Sequence, residues 1–345
     1  MKPVNLVEQT VGDANPCYII AEIGNLFTSF EEAKNLIDAA KNMGADAVKF
    51  QTWNAETLTT KNNNFDLDIT GFISQYEFLK NLQISEKLQE DVVNYAKEKN
   101  ITIFSAPSHE NDLELMEKLE IPIYKIGSDL ACHTPLLKKI SKLGKPIILS
   151  TGMCTLEEVK TSVNTILNEG NDKLILLHCI SDYPSKITES NLNCIQTLKD
   201  TFNLPVGYSD HTIGHLTSLT ASILGANVIE KHLRHTKNSK YPDDIHSLNE
   251  HEFSNLIEQI KNSEITKGDG IKKPSISEIK NLEHNRVSIV TTQKISMGSK
   301  IIAKFLDIRR PGYGIQPIHL DNIIGMKALI DIDSDIPIEW KMLQQ

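Results

Sequence analysis

YIIAEIG (18–24), AVKFQTW (47–53), TIFSAPS (102–108), IYKIGS (123–128), PIILSTG (146–152), LILLHC (174–179), PVGYSDH (205–211) and NVIEKHL (227–233) share one pattern: an apolar run that ends in polar or charged residues. All are rich in Ile, Val, Leu and Phe with little early polar alternation, as strands buried on both faces of a parallel sheet require. Each is followed by a helix-like stretch, and strands that alternate with helices imply βαβ units. Eight such units close a (β/α)8 barrel, and the span from Tyr18 to Asn262 matches the usual length of about 250 residues. The fold class read from this rhythm is α/β, a TIM barrel with its chemistry at one rim.

The intervening segments carry helical signals. In EEAKNLIDAAKNMGA (31–45), Ala33, Leu36, Ile37, Ala40 and Met43 recur at three- and four-residue spacing, and Gly44 supplies a stop. LKKISKLGK (137–145) ends by the same logic at Gly144. TLEEVKTSVNTILNEG (155–170) opens on a Thr, carries acids in its first turn and closes on Gly170, as capping and the helix dipole favour.

A chain of 345 residues exceeds most single cores. The expected division is a barrel domain over 1–263, a linker over 264–283 and a small tail domain over 284–345. After EHEFSNLIEQIKN (250–262) the chain turns polar through SEITKGDGIKKPSISEIKNLEHN (263–285), and RVSIVTTQKISMGSKI beyond it has β-type composition. The formal charge of -9 argues against broad nucleic-acid or anionic-membrane binding, so an anionic substrate would need a local basic pocket. Cys17, Cys132, Cys154, Cys179 and Cys194 are scattered without CxxC spacing and read as reduced thiols. With no apolar run of signal-peptide or membrane-spanning length, the expected location is cytoplasmic.

Active sites of such barrels lie at the C-terminal ends of the strands. Those ends hold Glu22, Lys49, Gln51, Ser105, Lys125, Ser128, Ser150, Thr151, His178, Ser209, Asp210, His211, Glu230 and His232, too polar a rim for packing alone. Lys49 and Lys125 sit in apolar strands, where an ammonium without an anion costs several kcal/mol or loses its proton. Either a barrel carboxylate such as Glu22 or Glu230 pairs with them, or a phosphate or carboxylate ligand does. Two lysines in one rim favour a substrate with several negative charges, with Gly127 and Ser128 able to add an amide and a hydroxyl.

His211 and His232 end the seventh and eighth segments, and adjacent strands lie about 4.8 Å apart. Imidazoles at corresponding depth can share one ion, with Glu230 close by. Such a pair suits Mn²⁺, with Mg²⁺ or Co²⁺ as alternatives. His109, His133, His215, His235, His246, His251, His284 and His319 read as ordinary loop or helix residues, and His178 as either a rim or a packing residue.

IIAEIG, GADAVKFQTW, IPIYKIGSD, GKPIILSTGM, LLHCISDYP, GYSDHTIG, VIEKH and the tail motif RRPGYGI together resemble the sialic acid synthase family, in family order over nearly the whole chain. That family condenses phosphoenolpyruvate with an open-chain N-acetylated amino sugar of the N-acetylmannosamine type and releases phosphate. The resemblance implies a C-terminal antifreeze-like (SAF, β-clip) domain and gives roles by position. His211 and His232 would bind the divalent metal. Lys49 and Lys125 would hold phosphoenolpyruvate, helped by Ser128 and Ser209, with Ser105 and Ser150 also counted among the substrate-binding residues. Gln51, Tyr183 and Asp243 would meet the sugar, and Arg310 would reach its N-acetyl group from the partner subunit of a domain-swapped homodimer. Metal polarises the aldehyde, C3 of phosphoenolpyruvate attacks it, and water adds at C2 under the direction of Glu22 or the metal site, with Glu230 completing the catalytic group.

The chain departs from the family's pattern in three places. Asn25-Leu26-Phe27-Thr28-Ser29 replaces an NHNG-type stretch, Ser105-Ala106-Pro107-Ser108 replaces STPF, and Ser181 or Asp182 stands for an expected Asn. These changes leave the sugar open between N-acetylmannosamine, its 6-phosphate and the bis-acetamido hexoses used for legionaminic or pseudaminic acid. A different phosphoenolpyruvate-dependent synthase or metal aldolase would lack reason to carry RRPGYG. A non-catalytic sugar-binding protein would have no need of both lysines and both histidines.

Overall fold

The computed structural model describes residues 2–67, 71–235 and 241–344. The expected segments form strands β1 (Tyr18–Glu22), β2 (Ala47–Thr52), β3 (Thr102–Pro107), β4 (Tyr124–Ile126), β5 (Ile147–Ser150), β6 (Leu174–Cys179), β7 (Val206–Asp210) and β8 (Val228–His232). They pair in parallel and in chain order, and β8 returns to β1, so the sheet closes into a barrel. Every residue of β1, β6, β7 and β8 is buried, which is why these strands read as apolar runs without alternation.

Helices α1 (Phe30–Met43), α2 (Glu86–Glu98), α3 (Asp112–Lys118), α4 (Thr134–Ser141), α5 (Leu156–Asn168), α6 (Cys194–Phe202), α7 (Leu216–Ile223) and α8 (Glu250–Lys267) follow the strands. The start of α1 is set by Ser29, whose side chain accepts from the Glu32 amide while Glu32 reaches back, and its end by Gly44 at φ 83°. Thr155 and Glu158 form the same box at α5. The buried face of α1 is Ala33, Leu36, Ile37, Ala39 and Ala40, and it packs into the one core that fills and surrounds the barrel.

Chain contacts divide the protein into two compact units, Met1–Gly268 and Asp269–Gln345. The expected boundaries need correction, because α8 runs to Lys267 and the supposed linker contains helix α9 (Ile276–Asn285). Ser275 and Glu278 cap α9 reciprocally, yet none of its residues is buried. Its apolar residues Ile276 and Ile279 are exposed, so the helix is held by its cap and reads as a polar linker in sequence. The second unit pairs β9 (Ser288–Thr291) with β10 (Leu306–Arg309), and β11 (Lys327–Ala328) with β12 (Leu343–Gln344), over a core of its own that includes Ile289, Ile301, Ile315, Ile323 and Ile338.

Candidate active site

Strand register decides which side chains reach the barrel interior. Residues directly paired on parallel neighbours share a face, and successive residues alternate faces. Glu22 is paired with Lys49 and with His232, Ser209 with Glu230 and with Cys179, and these side chains form one interior set.

Four charges meet at its centre. Lys49 Nζ lies 2.5 Å from Glu22 Oε2 and 3.5 Å from Glu230 Oε1, and Lys125 Nζ lies 3.4 Å from the same Glu230 oxygen. Ser209 Oγ donates to Glu230 Oε1 at 2.9 Å, Lys125 Nζ donates to Ser150 Oγ at 2.8 Å, and the Gly24 amide donates to Glu22 Oε1 at 2.5 Å. All four charged side chains are buried. Burial alone would raise the Glu230 carboxyl, but Lys125 and then Lys49 override it and hold it at about 2. Burial pushes the Lys49 ammonium down to about 8, against the pull of Glu230 and with the push of Lys125. Carboxylate pairing, one of the two alternatives for the lysines, is therefore present in the structure.

Beside Lys125 three loop segments crowd together. Ser128 Oγ accepts from the Gly152 amide at 3.0 Å, and a side chain at position 152 would collide with Ser181 Oγ and come within 2.8 Å of Ser128 Oγ. Glycine is what lets the loops after β4, β5 and β6 close on one another. Ser128, Ser150 and Lys125 thus converge as donors for an anion.

Histidines occupy the opposite side. The rings of His211 and His232 lie 5.6 Å apart by centroid, and Tyr183 covers His211 at 4.2 Å. His211 Nδ1 meets the Ile180 carbonyl at 2.9 Å, a bond that fixes its orientation. His232, Asp243 and His246 offer ligand atoms that all lie within 4.8 Å of one another. Asp243 also accepts from Asn25 Nδ2 at 3.1 Å, and burial raises its carboxyl to about 6. Burial, with neighbouring imidazoles, pushes His232 well below the ordinary range and His246 down to about 3, which leaves neutral rings of the kind a metal takes. Nδ1 of His232 and both nitrogens of His246 are buried without a hydrogen-bond partner. A divalent ion fits this donor set.

The profile of the NeuB family matches residues 36–272 and that of the SAF domain residues 286–344. The chain belongs to the NeuB family. It is 37% identical to an N,N'-diacetyllegionaminic acid synthase of Legionella pneumophila over 96% of each chain. With the synthase of the same name from Campylobacter jejuni it is 39% identical over 92% of this chain and 97% of that one. A crystal structure of the N-acetylneuraminic acid synthetase of Leptospira borgpetersenii superposes with a TM-score of 0.74 at 29% identity, covering 82% of this chain and 95% of that chain. This NeuB-family member thus belongs to the family that includes the sialic, legionaminic and pseudaminic acid synthases, and it is a (β/α)8 barrel followed by a SAF domain.

Within the NeuB barrel, Ser105, His178 and Asp210, all expected at the rim, fall away from the site. Ser105 is paired with Phe50 and Tyr124 on the other face, and its hydroxyl meets Thr52 Oγ1 at 2.7 Å, which in turn donates to Gln89 of α2. Its expected contact with substrate is therefore corrected: it belongs to the layer between strand and helix. His178 also faces away, with Nε2 at 2.8 Å from the Ser190 carbonyl. Asp210 and Lys231 pair on that outer face at 3.2 Å. Gln51 is half-buried next to Gly24, and Tyr183 and Asp243 reach the histidines as described. Arg310 is exposed in the second unit.

The sequence reading passed over His246. Its only signal was the turn sequence PDD (242–244) shortly before it, downstream of a segment that ends in a rim histidine. Leu26 and Phe27, which replace polar residues in the loop after β1, are buried in the barrel core.

Proposed function

We propose that this chain condenses phosphoenolpyruvate with an open-chain acetamido sugar and releases phosphate, with a bis-acetamido hexose of the legionaminic type as the sugar. The observation that carries the reaction is the meeting of Lys49 and Lys125 on Glu230 inside the barrel, next to the buried histidines. The names of the relatives at 37% and 39% identity support the choice of sugar.

The four central charges sum to zero as they stand, two ammoniums against two carboxylates. Lys125, Ser128 and Ser150 hold the phosphate, and Lys49 bridges from Glu22 to the reacting carbons. C3 of phosphoenolpyruvate forms a bond to the aldehyde carbon as the C=O π pair moves onto its oxygen, which takes up a proton, and C2 of phosphoenolpyruvate becomes positive. Glu22 directs a water to C2 and takes its proton, and the tetrahedral carbon then expels phosphate towards Lys125. His211 and His232 would hold a divalent ion, which would supply Lewis-acid polarisation of the aldehyde. Tyr183, Gln51 and Asp243 line the space that the sugar would occupy, and Arg310 of a partner subunit completes it in a domain-swapped homodimer.

The test is phosphate release from phosphoenolpyruvate with Mn²⁺ and a panel of N-acetylmannosamine, its 6-phosphate and bis-acetamido hexoses, beside a His211→Ala control. Release with a bis-acetamido hexose, lost in the control, is expected. Release with N-acetylmannosamine alone would overturn the sugar, and silence across the panel from folded, metal-loaded protein would leave a sugar-binding protein.

A further inference from the structure

We infer that His246 is a metal donor of this site, joining His232 and Asp243 beside His211, so that the ion is held through three imidazoles and a carboxylate. The inference deepens the metal-assisted reading above and rests on it.

Local structure places His246 deliberately. Pro242–Ile245 forms a 3₁₀ turn, in which side chains three residues apart lie over one another, and Asp243 and His246 have that spacing. The segment is fastened to the end of β8, because the Leu248 amide donates to the His232 carbonyl at 2.9 Å and Leu233 bridges Leu248 in parallel. Ser247 Oγ donates back to the Asp243 carbonyl at 2.5 Å. His246 is thereby held with its ring centroid 4.7 Å from that of His232 and 5.8 Å from that of His211.

A histidine kept only for packing finds partners for its nitrogens, as His178 does with the Ser190 carbonyl. His246 is 0% exposed and neither nitrogen has a hydrogen bond. Leaving a buried polar atom without a partner is costly, and metal coordination removes that cost at one of the two nitrogens. Asp243, expected at the sugar, faces the same space with its Oδ2 3.9 Å from His232 Nδ1. A donor set rich in imidazole suits ions such as Co²⁺ or Zn²⁺ better than Mg²⁺, which prefers oxygen, and the Asp243 carboxylate adds the oxygen donor that Mn²⁺ takes.

The full-length protein, stripped with chelator, would be titrated with Mn²⁺ by calorimetry, and pulsed EPR would count the nitrogens coupled to the bound Mn²⁺. Three coupled imidazoles are expected in the unaltered protein and two in His246→Gln. The substitution should weaken Mn²⁺ by at least about 10–100-fold, the range already seen for outer-shell partners. Two coupled nitrogens in the unaltered protein, with unchanged affinity in His246→Gln, would overturn the role of His246 and leave the two-histidine site standing. Failure of the unaltered protein to bind any divalent ion would overturn both. The EPR count needs no variant, so a poorly folding substitution does not blunt the test.

Discussion

Replacing Lys231 with methionine isolates the most deeply buried ion pair among the described residues without touching the barrel interior. Lys231 and Asp210 are both 0% exposed, with Nζ 3.2 Å from Asp210 Oδ2 and donating to the Thr212 carbonyl at 2.5 Å. Removal of one partner leaves an uncompensated buried charge, which costs about 3–5 kcal/mol. Asp210 keeps three other donors, the Thr212 amide, Thr217 Oγ1 and Ser218 Oγ, so the lower end of that range is expected. At roughly 2–4 °C per kcal/mol, Tm of the barrel falls by about 6–12 °C. The assay is calorimetry of the chelated full-length protein, so that neither metal nor substrate binding contributes. Asp210→Asn in the Lys231→Met background removes the orphaned charge and should recover at least half of the loss. Burial alone would raise the Asp210 carboxyl, but Lys231 holds it below its ordinary 3.8. Its contribution is therefore present above pH 3.8 and lost as the pH falls through the lower folded value, and Asp210→Asn should lose that acid limb. A single variant within about 1 kcal/mol of the parent, roughly 0.7 of a tenfold step in the folding equilibrium, or a double variant no better than the single, would refute the reasoning.

Four further outcomes follow from the same geometry. Because burial lowers Lys49 to about 8 from 10.5, the folded protein sheds that proton first. Stability should rise between those values, while affinity for phosphoenolpyruvate, read by calorimetry, should fall above pH 8. Ser105→Ala should leave KM for phosphoenolpyruvate unchanged and cost about 1 kcal/mol in denaturant unfolding, since its hydroxyl serves Thr52. Gly152→Ala should cost about 1–3 kcal/mol by overpacking and raise KM for phosphoenolpyruvate, because the new methyl displaces Ser128 and Ser181. Removal of residues 284–345 should abolish both dimerisation in sedimentation and turnover; a truncated protein that stays dimeric and active would exclude Arg310 as a contributor from the partner.

The barrel and most of the site were legible because both rest on short-range regularities. Eight apolar runs separated by capped helices admit few architectures, and a lysine inside such a run, as at 49 and 125, stands out against its neighbours. What misled was the one-residue step. Ser105 lies at the same rim as Lys49, but a strand alternates faces at every residue, and only the pairing of Ser105 with Phe50 shows that it points to the helices. The same alternation separates Glu230 and His232, inside, from Lys231, outside. His246 was missed for another reason: a turn has no periodicity, so its burial depends on where the chain before and after it is pinned.

The amino-acid sequence alone determined the element order, the barrel class and the residue types at the strand ends, since those follow from local hydrophobic patterning and capping. Only the tertiary structure decided that both lysines share one carboxylate and that a loop histidine, His246, lies against His232 and Asp243. It also decided that the polar stretch after the barrel is helical. Those outcomes depend on barrel closure, which brings β8 against β1 and sets distant side chains at hydrogen-bond range, a through-space relation that linear spacing does not encode.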